Sequence, residues 1–296
     1  MEPPSVEASV EIARWLAGWS SILEKRMGVP LCTKDSRGER RPGYPELVVI
    51  FCGGKCGSSS LRALFQDMGV PTVRIHNVDH FVDEYAPFLK QYPEVRKKLH
   101  LDVILTLLHH VYRDILVLDA YRDPVERKLS SFFQNFHVNL ARASIDETVW
   151  QGQTFDAQVR CFESRILPLL ENRDGIDSMS PAFFQGEFDF ARRFQKMAHP
   201  TLHSVTFLKL RFRDIARWPR IISDALGLSD LPTHQTPCEN MSATKPYVTQ
   251  YRQWQQGFRV QDMATLCAMV LHPVFLKYHT LEETTAYVEQ WWPRSK

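Results

Sequence analysis

The chain has 296 residues, 44% of them hydrophobic and 24% charged, with a net charge of +2. That composition suits a globular protein with room for one large α/β domain or two small ones, able to fold without disulfide or metal staples. The charge balance makes no case for nucleic-acid binding, and no run of roughly 18 or more apolar residues is present to span a bilayer.

In chain order, Val10–Met27 repeats Ile12, Trp15, Leu16, Trp19, Ile22 and Leu23 at helical period, which predicts an amphipathic packing helix. Cys32–Tyr44 is polar and reads as a loop. Glu46–Phe51 is a continuous apolar, β-branched run, as expected of a strand buried on both faces of a parallel sheet. After Gly53 and Gly54, Ser58–Met68 has helical period, with Leu61, Leu64 and Phe65 on one side. Thr72–His76 reads as a second strand, Val82–Tyr112 as mostly helix interrupted near Pro93, and Asp114–Tyr121 as a further buried strand leading into a Val125–Phe136 helix. Residues 138–200 read as helical and loop-rich, with many phenylalanines. Ser204–Leu210 is a late strand, followed by a helix near Pro219–Gly227, a polar loop over Leu231–Lys245 and helices from Tyr247 to Trp292. Strands alternating with helices imply a parallel sheet. Residues 1–296 are read as one domain: an N-terminal helix and loop (1–44), a nucleotide-binding core (46–136), an acceptor-site insertion (138–200), and a late strand, covering loop and C-terminal helices (201–296).

Six cysteines, at 32, 52, 56, 161, 238 and 267, follow no secretory signal. Free thiols in a reducing compartment are expected. Cys52 and Cys56 lack a second pair at zinc spacing, so no metal is expected.

The stretch Val48–Leu61 is strand, glycine-rich turn and helix start. Backbone N–H groups at a helix N-terminus are unpaired and carry the positive end of its dipole, so they bind phosphate. Gly57 lets the backbone approach an anion, Cys56 adds a further backbone N–H, Ser58, Ser59 and Ser60 add hydroxyls, and Lys55 adds a charge. A P-loop nucleoside triphosphatase places its lysine directly after the second glycine; here Lys55 stands two residues before it. A second strand end carries Arg122-Asp-Pro124, with Ser130 eight residues on. An arginine fork and a hydroxyl so placed suit one phosphate.

Together the two stretches resemble the sulfotransferase superfamily, which uses 3′-phosphoadenosine-5′-phosphosulfate (PAPS) as donor. The resemblance implies a P-loop-like α/β fold of sulfotransferase type, with a parallel sheet flanked by helices and a helical C-terminal part. It implies that Lys55, Gly57, Ser58 and Ser59 hold the 5′-phosphosulfate and that Arg122 and Ser130 hold the 3′-phosphate. Within that superfamily the chain is similar to the bacterial capsular polysaccharide synthesis (sulfotransferase-like) family, through the turn, Val73–His76, Ser130–Asn135 and Asn240–Tyr247. That family's Asn-Lys-Trp-Tyr-Ser stretch is not present. A late basic loop often covers the nucleotide in sulfotransferases, which points to Lys245, with Ser242 beside it.

Sulfuryl transfer asks the enzyme to position an acceptor hydroxyl and stabilise charge on the leaving phosphate. Lys55 is the expected stabiliser. A general base is expected to be a histidine. Of 11 histidines, His76 at the end of the second strand is the choice, with His80 and the His109–His110 pair as alternatives. Arg211 and Arg213 either line an acceptor cleft or pair with Asp214. The expected acceptor is a hydroxyl of a carbohydrate or small metabolite, with no metal, no nucleic acid and no membrane partner, in a cytoplasmic enzyme. Two other classes share the turn: a P-loop kinase or nucleoside triphosphatase, and a non-catalytic binding protein on the same fold.

Overall fold

The apolar run after Glu46 forms strand β1 (Leu47–Phe51), and all five of its residues are buried. In the computed structural model, which describes residues 5–19, 21–22, 25, 43–170, 175–178, 183, 185–228 and 247–292, β1 lies within a five-stranded sheet. The other strands are β2 (Thr72–Ile75), β3 (Ile115–Tyr121), β4 (Phe194–Ala198) and β5 (Val205–Arg211), and the order across the sheet is β2-β1-β3-β5-β4. Both partners of β1 run parallel to it, with Val49 opposite Val73 on one side and Val117 on the other. Helices flank the sheet, and the C-terminal region is helical. Burial on both faces explains why β1 and β3 are apolar throughout, apart from Asp119.

The sheet differs from the all-parallel expectation at one edge. β4 pairs antiparallel with β5, Phe194 opposite Leu210 and Ala198 opposite Thr206, which makes the sheet mixed. Residues 138–200 therefore contain a strand that a helical and loop-rich reading omits. β4 is half-covered, with Lys196 and Ala198 exposed, and its sequence has none of the β-branched residues that mark the inner strands.

The chain divides into two compact units. The first comprises Met1–Gly53, Gly57–Ala120 and Gly175–Glu239. Its core joins the sheet to helices such as Val6–Ala17, Val78–Tyr85 and Leu101–His109. Trp15 and Trp19 are buried against Phe81 and Tyr85, and the Trp15 indole N–H donates to the Tyr85 carbonyl at 2.8 Å. The first helix spans Val6–Ala17 where the periodicity predicts Val10–Met27, and Ile12, Trp15 and Leu16 of the expected apolar face pack on the core. Inside the sheet, Lys209 of β5 lies 2.5 Å from Asp119 of β3 and 2.8 Å from Asp177, all three buried. Burial opposes the Lys209 charge, but the two carboxylates outweigh it and its pKa is raised.

The second unit comprises Gly54–Cys56, Tyr121–Asp174 and Asn240–Lys296. Its core is aromatic, built on Phe132, Phe162, Trp150, Trp254 and Phe258. Among the described residues, no helix is long and apolar enough to cross a membrane.

Candidate functional site

The turn that leaves β1 bends through two left-handed residues, Lys55 (φ 71°) and Gly57 (φ 85°). Gly57 caps the helix Ser58–Asp67, and no side chain caps that N-terminus. A Cβ on Gly57 would lie 2.6 Å from the Trp218 ring, so both the conformation and the space demand glycine. Lys55 is half-buried, and Cys56 is buried with its thiol 3.8 Å from the Gly54 carbonyl. Cys52, Cys56, Cys161 and Cys267 are free thiols.

Of the three serines that open the helix, Ser58 and Ser60 are buried and Ser59 is half-buried. The Ser59 hydroxyl accepts from Arg74 Nη1 at 3.1 Å. Arg74 was not among the residues expected from sequence, although an arginine inside an apolar strand segment, Val73-Arg-Ile75, is a readable signal. Its Nε is buried with no hydrogen-bond partner.

His76 follows β2 and places Nδ1 2.9 Å from the Cys52 carbonyl. A carbonyl only accepts, so Nδ1 carries the proton and the lone pair of the neutral ring lies on Nε2. The His80 ring is 5.1 Å from that of His76. Burial lowers the His80 pKa, Arg74 lowers it further, and Glu84 and Asp83 oppose both. The first unit thus gathers Ser59, Arg74, His76 and His80 beside the ends of β1 and β2. His109 is placed elsewhere. Its Nε2 lies 2.6 Å from the Ser204 hydroxyl, and Ser204 bonds Ile115 where β3 and β5 begin, whereas the turn leaves the end of β1. His110 is the next residue.

Within the second unit, Arg122 follows β3. Its guanidinium donates from Nη1 to the Lys55 carbonyl at 2.8 Å and from Nη2 to the Tyr251 hydroxyl at 3.2 Å, with Glu126 3.8 Å from Nε. Two motifs 67 residues apart therefore meet. The stretch after Arg122 is fixed as well: Asp123 lies 2.7 Å from His279 Nε2, and the Val125 N–H donates to the Tyr287 hydroxyl. These tyrosine and histidine partners come from the C-terminal helical region, where sequence gave no sign of them. Ser130 is half-buried on the helix Pro124–Gln134. Lys245, with Asn240 and Ser242, lies outside the described residues.

The phenylalanines of 138–200 split between the units: Phe155 and Phe162 pack in the second, while Phe183 and Phe188 pack in the first. Phe184 is outside the described residues. Arg211 pairs with Asp214 at 2.9 Å and lies over the rings of Phe188 and Phe190, so the structure gives it the pairing role. In the second unit, a cavity of about 420 Å³ is walled by Trp150, Phe155 and Trp254 and by five glutamines, at 151, 153, 158, 250 and 253. It carries no formally charged side chain, and Gln153 Oε1 is buried there without a partner. No protein-family model, curated protein or solved structure matches this chain.

Proposed function

We propose that the chain is a sulfotransferase that moves a sulfuryl group from PAPS to a hydroxyl of a carbohydrate or small-metabolite acceptor. The observation that carries this reading is the hydrogen bond from Arg122 to the Lys55 carbonyl, which joins the two phosphate-binding motifs. The left-handed turn at Lys55 and Gly57 leads into a helix N-terminus that no side chain caps, which suits an anion.

PAPS supplies the activated sulfuryl group and a good leaving group. Lys55 and the backbone N–H groups that open the Ser58–Asp67 helix are assigned the charge of the departing phosphate. Arg122 holds the Lys55 backbone in place and adds positive charge toward the 3′-phosphate, with Ser130. His76 is assigned as the base that takes the acceptor proton on Nε2, as the S–O bond to the acceptor forms and the S–O bond to the phosphate breaks.

The test is the shift in melting temperature with 3′-phosphoadenosine-5′-phosphate, adenosine 5′-phosphate, and ATP with magnesium. A ligand that binds only the folded state raises the midpoint by mass action. The expected outcome is a clear preference for the 3′,5′-bisphosphate that Lys55→Ala weakens and Arg122→Ala abolishes. An equal response to ATP with magnesium would overturn the donor assignment and favour a kinase or nucleoside triphosphatase.

A further inference from the structure

The helix Pro124–Gln134 buries a lysine, Lys128, that sulfuryl transfer does not use. Its ammonium donates to the Leu167 carbonyl at 3.2 Å and the Leu170 carbonyl at 2.8 Å. No carboxylate pairs with it among the described residues. Burial, then the neighbouring Arg127, lower its pKa from 10.5 to about 8. A buried ammonium satisfied only by neutral carbonyls is costly, and an adjacent anion would offset that cost.

Lys128 lines a cavity of about 280 Å³ within the second unit. Arg122 and Arg127, both buried, line it as well, against one carboxylate, Glu163. Glu163 is already engaged, accepting the Gln261 N–H at 2.6 Å, and burial raises its pKa. The remaining wall is largely apolar, including Leu167, Pro168, Met269, Val274 and Phe275. A buried ammonium held by neutral carbonyls at one side and hydrocarbon at the other select for a ligand that has both characters.

We infer that this cavity binds a small organic anion with an apolar body, a carboxylate or sulfonate on one or two rings, with its charge at Lys128. The site does not depend on the sulfuryl-transfer reading. Its volume is at the lower end for ligand cavities, which favours a compact acid over a nucleotide.

Calorimetric titration of the full chain with naphthalene-2-sulfonate, naphthalene-2-carboxylate and the neutral naphthalene-2-carboxamide tests this. Both acids are expected to bind at least tenfold more tightly than the amide. Lys128→Met should weaken the acids about tenfold or more and leave the amide unchanged. Ala268 is exposed on the cavity lining, so Ala268→Trp should block all three ligands without disturbing the core. Raising the pH from 7 to 9 should weaken the acids about tenfold, as Lys128 gives up its proton. Arg122, Arg127, Glu163, His272 and Tyr121 are the other charged or titratable groups on the lining, and Lys128→Met should flatten this dependence. Equal binding of the amide and the acids would overturn the proposal, as would binding that both variants leave unchanged. Full displacement by equimolar inorganic sulfate would remove the apolar part of the claim. Displacement by 3′-phosphoadenosine-5′-phosphate would overturn the claim of a separate site, because it would make the cavity part of the donor site.

Discussion

Lys55 holds a left-handed backbone conformation that costs an ordinary L-residue roughly 1–2 kcal/mol. Glycine relieves that strain but gives back about 0.5–1 kcal/mol through its freer unfolded chain. Lys55→Gly is therefore expected to leave stability unchanged or raise it by up to about 1.5 kcal/mol, while lowering affinity for 3′-phosphoadenosine-5′-phosphate at least tenfold. Urea denaturation and calorimetry check the two halves separately, and a clear loss of stability would show that the side chain, not the strain, dominates. At this scale the sequence shows Lys55 and Arg122 as separate motifs because each has a local signature. It does not show that Arg122 bonds a backbone carbonyl and Tyr251, since those partners lie 67 and 129 residues away. The Asp119–Lys209 pair is hidden for the same reason: its members are 90 residues apart, each inside an apolar strand.

Strands β1 and β3 are legible because burial on both faces demands near-continuous apolar runs, and β2 and β5 because most of their residues are buried and β-branched or apolar. β4 is not, because only Phe194 and Gln195 of its five residues are buried and none is β-branched, unlike the other edge strand, β2, and its antiparallel pairing follows from the chain reversal before β5. The helix after the turn is legible from Leu61, Leu64 and Phe65, yet its entry depends on a distant ring. Gly57→Ala would drive a Cβ into Trp218, which is fully buried, and force an alanine into a left-handed conformation. The expected cost is about 2–4 kcal/mol, from overpacking and the backbone together. Trp218→Leu opens that space, so a double-mutant cycle of chemical denaturation should show Gly57→Ala costing less in the Trp218→Leu background. Additive losses would mean that the ring is not the obstacle.

Across the whole molecule, the alternation of strand and helix patterns predicts the α/β class and the C-terminal helices, but not the division into two units. The chain passes between them at Gly53–Gly54, Cys56–Gly57, Ala120–Tyr121, Asp174–Gly175 and Glu239–Asn240, and the glycine-rich stretch at the first two crossings reads as a phosphate-binding turn rather than as a linker. The dependence of overall stability on pH carries a signature of Lys128. Its folded pKa of about 8 lies below its ordinary 10.5, so between those values the unfolded chain binds more protons and stability rises with pH. Below about 8 the fold carries the full cost of the buried charge. Urea denaturation at pH 7, 8.5 and 10 should therefore show the unsubstituted protein gaining stability relative to Lys128→Met as pH rises. A constant difference would mean that the lysine titrates normally. The division into interleaved units has a practical corollary for anyone dissecting the protein. Each unit is assembled from three stretches of chain, so no single stop codon or start site yields either one intact, and transplanting one into another scaffold requires three grafted pieces and new joints between them.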